Sequence, residues 1–249
     1  MIAAEHRPPN QPKSKLVLTA VAALLLAVFA CLIALGTWQV QRLHWKENLL
    51  SAIAERRTAP PVTLRDIEDS QASGADIDYR TVTVSGTFDH SKERHFFATW
   101  QGQTGFYVFT PLMQADGRAV FVNRGFVPYE RKERATREMG EVPGPVTIHG
   151  LARVKLSAKP SSLVPDNDEA KNIFYWKDLD TMARTAGLAP GQVLPFFVDA
   201  DGAPNPGGVP VGGVTQFDFP NSHLQYALTW YGLAATLAVI CGVSFFRRR

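Results

Sequence analysis

Two stretches of twenty uncharged, mostly apolar residues, Leu16 to Leu35 and Ala227 to Phe246, lie near the two ends of this chain. Each has about the length a helix needs to cross roughly 30 Å of hydrocarbon. In that medium every backbone polar group must be satisfied within the spanning structure, so both runs are expected to be transmembrane helices. Charge sets the direction. The N-terminal tail carries Arg7, Lys13 and Lys15 against Glu5, a net of +2, and Arg247, Arg248 and Arg249 follow the second run. Cations beside spans stay cytoplasmic, so both ends are expected inside, with about 190 intervening residues on the other side. The whole chain is +3, which leaves −2 between the tails. The basic character belongs to the tails, and a nucleic-acid partner has no support.

A rival reading of the first run is a signal peptide, because Lys13, Lys15 and the "ALG" at Ala34 to Gly36 resemble its flanks. The apolar run is too long for a signal peptide's 7–15-residue core, which weighs against cleavage. Cys31 and Cys241 both fall inside the spans. No disulfide or thiolate metal site is therefore expected between them. The organisation expected is a cytoplasmic tail at 1–15, a transmembrane helix at 16–35, its helical extension at 36–61, an extracytoplasmic β-rich domain and linker at 62–222, a second transmembrane helix at 223–246 and a tail at 247–249. Tails this short leave no room for the output domain of a receptor.

Past the first span, Trp38, Arg42, Trp45 and Leu49 recur at helical spacing until Pro60-Pro61 stops the pattern. Strand signals then take over. "YRTVTVSGTF" alternates through Val82, Val84 and Phe88, with Gly86 a candidate bulge. "RHFFATW" and "GFYVFTPLM" are separated by the turn-like "QGQT", and Asp116-Gly117 turns the chain into "GRAVFVNRGFVP", which implies a hairpin from Phe106 to Phe126. "YERKERATREMGE" reads as a solvated loop or short helix, and "GPVTIHGLARV" as another strand. "IFYWKDLDTMARTAGL" starts as a strand and becomes a helix after Asp178 or Asp180, ending at Gly187; "VLPFFVDA" is strand-like. The fold class expected is a membrane protein whose two transmembrane α-helices flank a β-rich extracytoplasmic domain. That domain is a mostly antiparallel barrel or sandwich with some helix, since the strand–helix alternation of a parallel sheet is missing.

Motifs of catalysis are absent from the sequence. It has no G-x-S-x-G, no phosphate-cradling G-x-x-x-x-G-K-[ST] and no dinucleotide G-x-G-x-x-G. His90 and His95 flank "SKER" and could meet across a turn as a metal pair, although surface histidines at strand ends are the plainer reading. Asp76/Asp78 and Asp166/Asp168 sit in polar loops, where solvation accounts for them. Met113, Met139 and Met182 are too scattered for copper delivery. Arg124, in "VNRGFVP", interrupts an apolar strand; it would bind a carboxylate or other anion, or, the favoured reading, satisfy backbone carbonyls.

The threshold of the second span, "NSHLQYALTWYGLA", is the most distinctive stretch. If it is helical, His223, Ala227, Trp230 and Ala234 share one face, while Gln225, Thr229, Gly232 and Thr236 share another. The second stripe is small and polar, which suits helix packing in lipid, and its expected mate is the edge of Ala23, Ala27, Ala30 and Ala34. That leaves His223 as a candidate metal ligand for a planar, apolar, metal-bearing group such as haem lying against Trp230, with Arg42 as partner for a propionate. The alternative is an aromatic belt with Arg42 reaching lipid phosphate.

"LGTWQVQRLHWKENLL", "VSGTFD", "GFYVFTPL", "VNRGFVP" and "NSHLQYALTWYGLA" together closely resemble the surfeit locus protein 1 family, from about Leu16 to Phe246. The resemblance implies a non-enzymatic assembly factor for haem-copper terminal oxidases, in cytochrome c oxidase biogenesis. It implies haem a as a transient cofactor, His223 as its axial ligand and Trp230 as a wall of its pocket. The partners implied are the oxidase catalytic subunit, haem a synthase and membrane lipid. The place implied is the cell inner membrane, with both termini cytoplasmic and the central domain periplasmic. Where the family motif often has Asn-Asn before the histidine, this chain has Asn221-Ser222, so the second asparagine's role is in question. A scaffold that stabilises an oxidase intermediate without touching haem remains the alternative.

Overall fold

The computed structural model describes residues 15–247 except Asp218. The charges expected to orient the chain at Glu5, Arg7, Lys13, Arg248 and Arg249 lie outside the described residues. The chain forms two compact units, Met1–Leu50 with Asp218–Arg249 and Ser51–Phe217. The first holds most of α1 (Lys15–Thr58) and all of α4 (His223–Phe246), both long and apolar enough to cross a membrane. α1 is unbroken over 44 residues and stops two residues short of Pro60, whose ring disfavours helical geometry in the residue before it.

The second unit is built on β1 (Thr81–Phe88), β2 (Arg94–Trp100), β3 (Gln103–Met113), β4 (Ala119–Pro128), β5 (Pro145–Val154), β6 (Ile173–Phe174) and β7 (Val193–Ala200), with α2 (Leu64–Ala72) and α3 (Leu179–Thr185) packed around them. β1 pairs with β5, β5 with β7, β7 with β4 and β4 with β3; β3 then returns to β1 at Thr87↔Met113 and Phe88↔Leu112. Five strands thereby close into a small barrel, and β2 and β6 extend it beyond β3. All pairings are antiparallel except β4–β7 and β2–β6. The β2–β3 turn is the pair Gln101-Gly102, both at positive φ, as a tight two-residue hairpin requires. Both short helices are capped from sequence: Thr63 and Asp66 form a reciprocal capping box on α2, and Asp178 accepts from the Thr181 N–H on α3.

β4 is buried along nearly its whole length because both its faces are covered. Val120 and Val122 point into a core with Val82, Val84, Leu112, Phe196 and Val198, whereas Phe121 packs on the other side with Phe109, Phe174, Met182 and Phe197. That explains its continuous apolar run, in contrast to the alternation of the half-exposed β1.

Two expectations need correction. Gly86 is not a bulge: β1 and β5 stay in register through Gly86↔Val146. A Cβ there would instead overlap the Met113 carbonyl, so the glycine permits the close approach that closes the barrel. The segment at 129–140 is not simply a solvated loop. It winds through three short 3-10 turns and sends Arg137, 4% exposed, into the protein. There Arg137 pairs with Glu93, itself 3% exposed, and Glu93 accepts from His95 Nε2 at 3.0 Å. A buried charge needs such partners.

Gly125 has φ +122°, and a Cβ on it would overlap the carbonyl of Val211, which bridges to Phe126. Gly125→Ala should cost at least about 2 kcal/mol of stability, read as a lowered denaturation midpoint. Acid should weaken the same unit in two stages. Burial pushes the His90 imidazole pKa below its ordinary 6.5; its bond to the Val142 carbonyl counters this and the Arg124 charge reinforces it. For Glu93, burial raises the pKa, but hydrogen bonds from His95 and Arg137 outweigh it and leave the carboxyl below its ordinary 4.5. In both cases the unfolded chain takes up the proton first, so stability is lost as pH falls. Thermal denaturation of the full chain in detergent should show one decline beginning below about pH 6.5 and a steeper one below about 4.5. His90→Asn should flatten only the first.

Candidate functional site

Helices crossing lipid pack by shape, because the surrounding chains are as apolar as the helices themselves. In α1 the residues withdrawn from solvent include Leu25, Phe29, Leu32, Gly36, Gln39, Leu43, Lys46 and Leu50. In α4 they include His223, Ala227, Trp230, Ala234, Leu237 and Cys241. Both sets alternate steps of four and three, the spacing of a continuous two-helix seam. Ala227 and Ala234 are 2% and 1% exposed. Gly36 gives the room for close approach: a Cβ there would lie 2.7 Å from the Tyr231 ring. The Tyr231 hydroxyl meets Thr37 Oγ1 at 3.1 Å.

The small-and-polar stripe expected to face α1 does not. Gln225, Thr229, Gly232 and Thr236 are exposed, as are Ala23, Ala27, Ala30 and Ala34. Thr229 and Thr236 donate to the carbonyls of Gln225 and Gly232 four residues back, so their hydroxyls need no second helix. It is the histidine stripe that forms the seam.

At the head of that seam, His223 Nδ1 lies 2.7 Å from Gln39 Oε1. A carboxamide oxygen only accepts, so in the neutral imidazole the proton sits on Nδ1 and the lone pair on Nε2. Nε2 has no hydrogen-bond partner among the described residues. The His223 N–H, free at the first turn of α4, donates to Asn221 Oδ1 at 3.4 Å, while Ser222 makes no side-chain cap bond. The first residue of the Asn-Ser pair thus does the capping, and a serine in second place removes nothing from this contact. Lys46 donates to the Pro220 carbonyl and ties the approach to α4 against α1. Trp230 stands two turns along α4 on the same face as His223.

Arg42 is not brought to His223. Its guanidinium lies 5.8 and 5.3 Å from the ring centroids of Trp38 and Trp45, on a stripe of α1 where those rings are 48% and 56% exposed. It stands one turn beyond Gln39 and beside the seam rather than within it. Gln39 is the residue the Trp38–Arg42 reading overlooked. Its signal was a polar side chain in step with Leu32, Leu43 and Leu50, at a position that reads as core.

The other candidates resolve into structural contacts. His90 donates from Nε2 to the Val142 carbonyl, 3.1 Å, and accepts from Arg124; His95 is 4% exposed and bonded to Glu93 and Asn172. The two imidazoles serve separate networks and do not form a metal pair, and His95 is no surface residue. Asp76 and Asp78 pair with Arg56 and Arg153, and Asp166 and Asp168 with Lys159 and Lys171. Arg124 donates to the Gly140 carbonyl, as the structural reading expects. Among the described residues no three histidines, cysteines or acids gather as a metal site.

Two membrane-length helices with a β barrel between them in sequence support the class of a two-span membrane protein with a β-rich unit. The chain belongs to the SURF1 family, whose model matches residues 26–235. It is 36% identical to surfeit locus protein 1 of Rattus norvegicus, over 90% of this chain and 75% of that one. It is 35% identical to the Homo sapiens protein of the same name, over 90% and 77%, and 35% identical to a SURF1-like protein of Monosiga brevicollis, over 86% and 84%.

The seam makes a direct prediction. Gly36→Leu should overpack it and cost about 2 kcal/mol of helix association, whereas Tyr231→Phe, which removes only the Thr37 bond, should cost about 0.6 kcal/mol. Denaturant titration of the detergent-embedded chain, read by helix–helix energy transfer, would measure both.

Proposed function

We propose that this chain is a non-enzymatic assembly factor for cytochrome c oxidase that holds haem a transiently at the membrane interface and assists its passage to the oxidase catalytic subunit. Membership of the SURF1 family supports the assembly role. The observation that carries the haem reading is the 2.7 Å contact from His223 Nδ1 to Gln39, which leaves Nε2 with its lone pair and no partner among the described residues. Iron in haem takes one axial imidazole nitrogen, so a single oriented histidine is enough and no cluster of ligands is needed. A second residue that fixes the far nitrogen is the usual companion of a metal-binding histidine. Gln39 is neutral, so it orients the ring without adding the basicity a carboxylate would, which suits a ligand that must be released.

Trp230 offers an apolar wall two turns deeper, and Arg42, held between Trp38 and Trp45, offers a cation at the interface for a propionate. Haem a synthase is the natural donor in this scheme and the catalytic subunit the acceptor. Two membrane-length helices support a two-span topology. We place both termini in the cytoplasm and the β-rich unit in the periplasm, at a cell inner membrane, on the positive flanks of the spans.

The full chain purified in detergent from cells making haem a should carry haem a in its reduced-minus-oxidised spectrum. His223→Ala should lose that spectrum, and Gln39→Leu should weaken retention about tenfold by freeing the ring to turn. Haem-free protein that still restores oxidase activity would favour the scaffold instead. Equal haem in wild type and His223→Ala would overturn the assignment of the ligand.

A further inference from the structure

A second site lies in the β unit. Arg124 is 2% exposed, yet no carboxylate among the described residues bonds it. Its guanidinium donates to the Gly140 carbonyl, to Asn205 Oδ1 at 3.2 Å and to His90 Nδ1 at 3.3 Å, and it packs 4.9 Å from the Phe88 ring centroid. His90 is neutral in this arrangement, because its Nε2–H is given to Val142 and its Nδ1 must accept from an arginine that can only donate. The acids nearby bond other groups: Glu93 pairs through Oε1 with Arg137 and His95, its Oε2 unbonded among the described residues, and Glu141 pairs with Arg134. Asp199, the other buried acid, is bonded to Asn123, Arg153 and Thr215. Burial lowers the Arg124 pKa to about 10; the Glu93 and Glu141 charges counter this and the Arg137 charge reinforces it. A buried cation that no carboxylate bonds is costly, and native proteins pair such groups.

Beside this guanidinium lies a cavity of about 200 Å³, whose lining includes Arg124, Asn205, Phe88, Val142, Val146 and Ile148. Two of the five N–H donors of Arg124, Nε–H and one on Nη1, have no partner among the described residues. Thr147, His149 and Asp201 stand at the exposed rim. The Asp201 carboxylate accepts from the Ala203 N–H at 3.0 Å and is open to solvent, where its charge is screened.

We infer that this cavity binds a small monocarboxylate with a short aliphatic tail, one carboxylate oxygen on an unused N–H of Arg124 and its tail on the apolar side chains of the lining. A hydrogen bond from a guanidinium to a carboxylate oxygen is charge-assisted and stronger than one between neutral groups. One guanidinium charge matches one negative charge, and a phosphate dianion would bring a second into a mostly apolar pocket. At roughly 30 Å³ per water, the volume corresponds to about seven waters, which admits an acid of butyrate size and excludes a macrocycle. The site is independent of the His223 seam, so its failure and that of the haem reading would be seen separately.

The test is calorimetric titration of the full chain in detergent with sodium butyrate, beside butyramide, phosphate and chloride. Saturable one-to-one binding of butyrate is expected, with butyramide and phosphate at least tenfold weaker and chloride silent. Arg124→Gln should lower butyrate affinity at least tenfold. Because that substitution removes three buried hydrogen bonds and could unfold the barrel, Ala203→Trp serves as the second variant. It fills the cavity from its exposed rim, so it should keep the wild-type melting temperature and abolish binding. Absence of saturable butyrate binding, equal binding of butyramide or phosphate, or wild-type binding by folded Ala203→Trp would each overturn the inference.

Discussion

The hydrogen bond from His223 to Gln39 joins the two helices at the one point where chemistry and packing coincide. In hydrocarbon or at its edge, a polar side chain must find a partner, and a partner on the facing helix fixes both register and ring orientation. Everything along the seam is compatible with that register. Gly36 accepts the Tyr231 ring, Thr37 meets its hydroxyl, and Lys46 holds the Pro220 carbonyl. The same contact that aligns the helices also sets the imidazole tautomer, so the feature that makes His223 a competent ligand costs the protein no separate device.

The Ser51–Phe217 unit follows another logic. Its barrel is closed by a short β1–β3 pairing that exists only because Gly86 lets β3 approach, and its covered strand β4 supplies both cores. Around this apolar frame the protein buries charge: Glu93, Arg94, Arg124 and Arg137 are all nearly inaccessible. Glu93 and Arg137 pin the 3-10 segment to β2, a role that pairs two costs of desolvation against each other. Arg94 and Arg124 have no acid bonded to them among the described residues, and of the two it is Arg124 that lines a cavity.

Much of the architecture was legible because each signal was local. Twenty apolar residues require a span, Pro60-Pro61 stops a helix, and Gln101-Gly102 makes a hairpin turn. Barrel closure was not legible, since it depends on two residue pairs between strands separated by β2, and neither β4–β7 nor β2–β6 announces that it is parallel. The buried faces of Arg137 and His95 were hidden for a related reason: a charged run looks solvated until its distant partner, here Glu93, is known. In the helices the principle of small-residue packing held, but the stripe was misread. Both faces of α4 contain small residues, and the face that wins is the one whose 4–3 spacing continues through Leu237 and Cys241 to match α1. Polar threonines misled because they satisfy themselves on their own helix. His223 and Trp230 stood out in the sequence; Gln39 did not, since a glutamine beside a tryptophan at a helix exit reads as interfacial until the seam is drawn.

The central claim is that Gln39 holds His223 with Nδ1 protonated and Nε2 free to take a metal. Nitrogen-15 magnetic resonance of histidine-labelled protein in bilayers, assigned by loss of one signal in His223→Ala, reads that tautomer directly. The account predicts a protonated Nδ1 and an unprotonated Nε2 at neutral pH, with the preference lost in Gln39→Leu. A proton on Nε2, or a tautomer indifferent to Gln39, would contradict it.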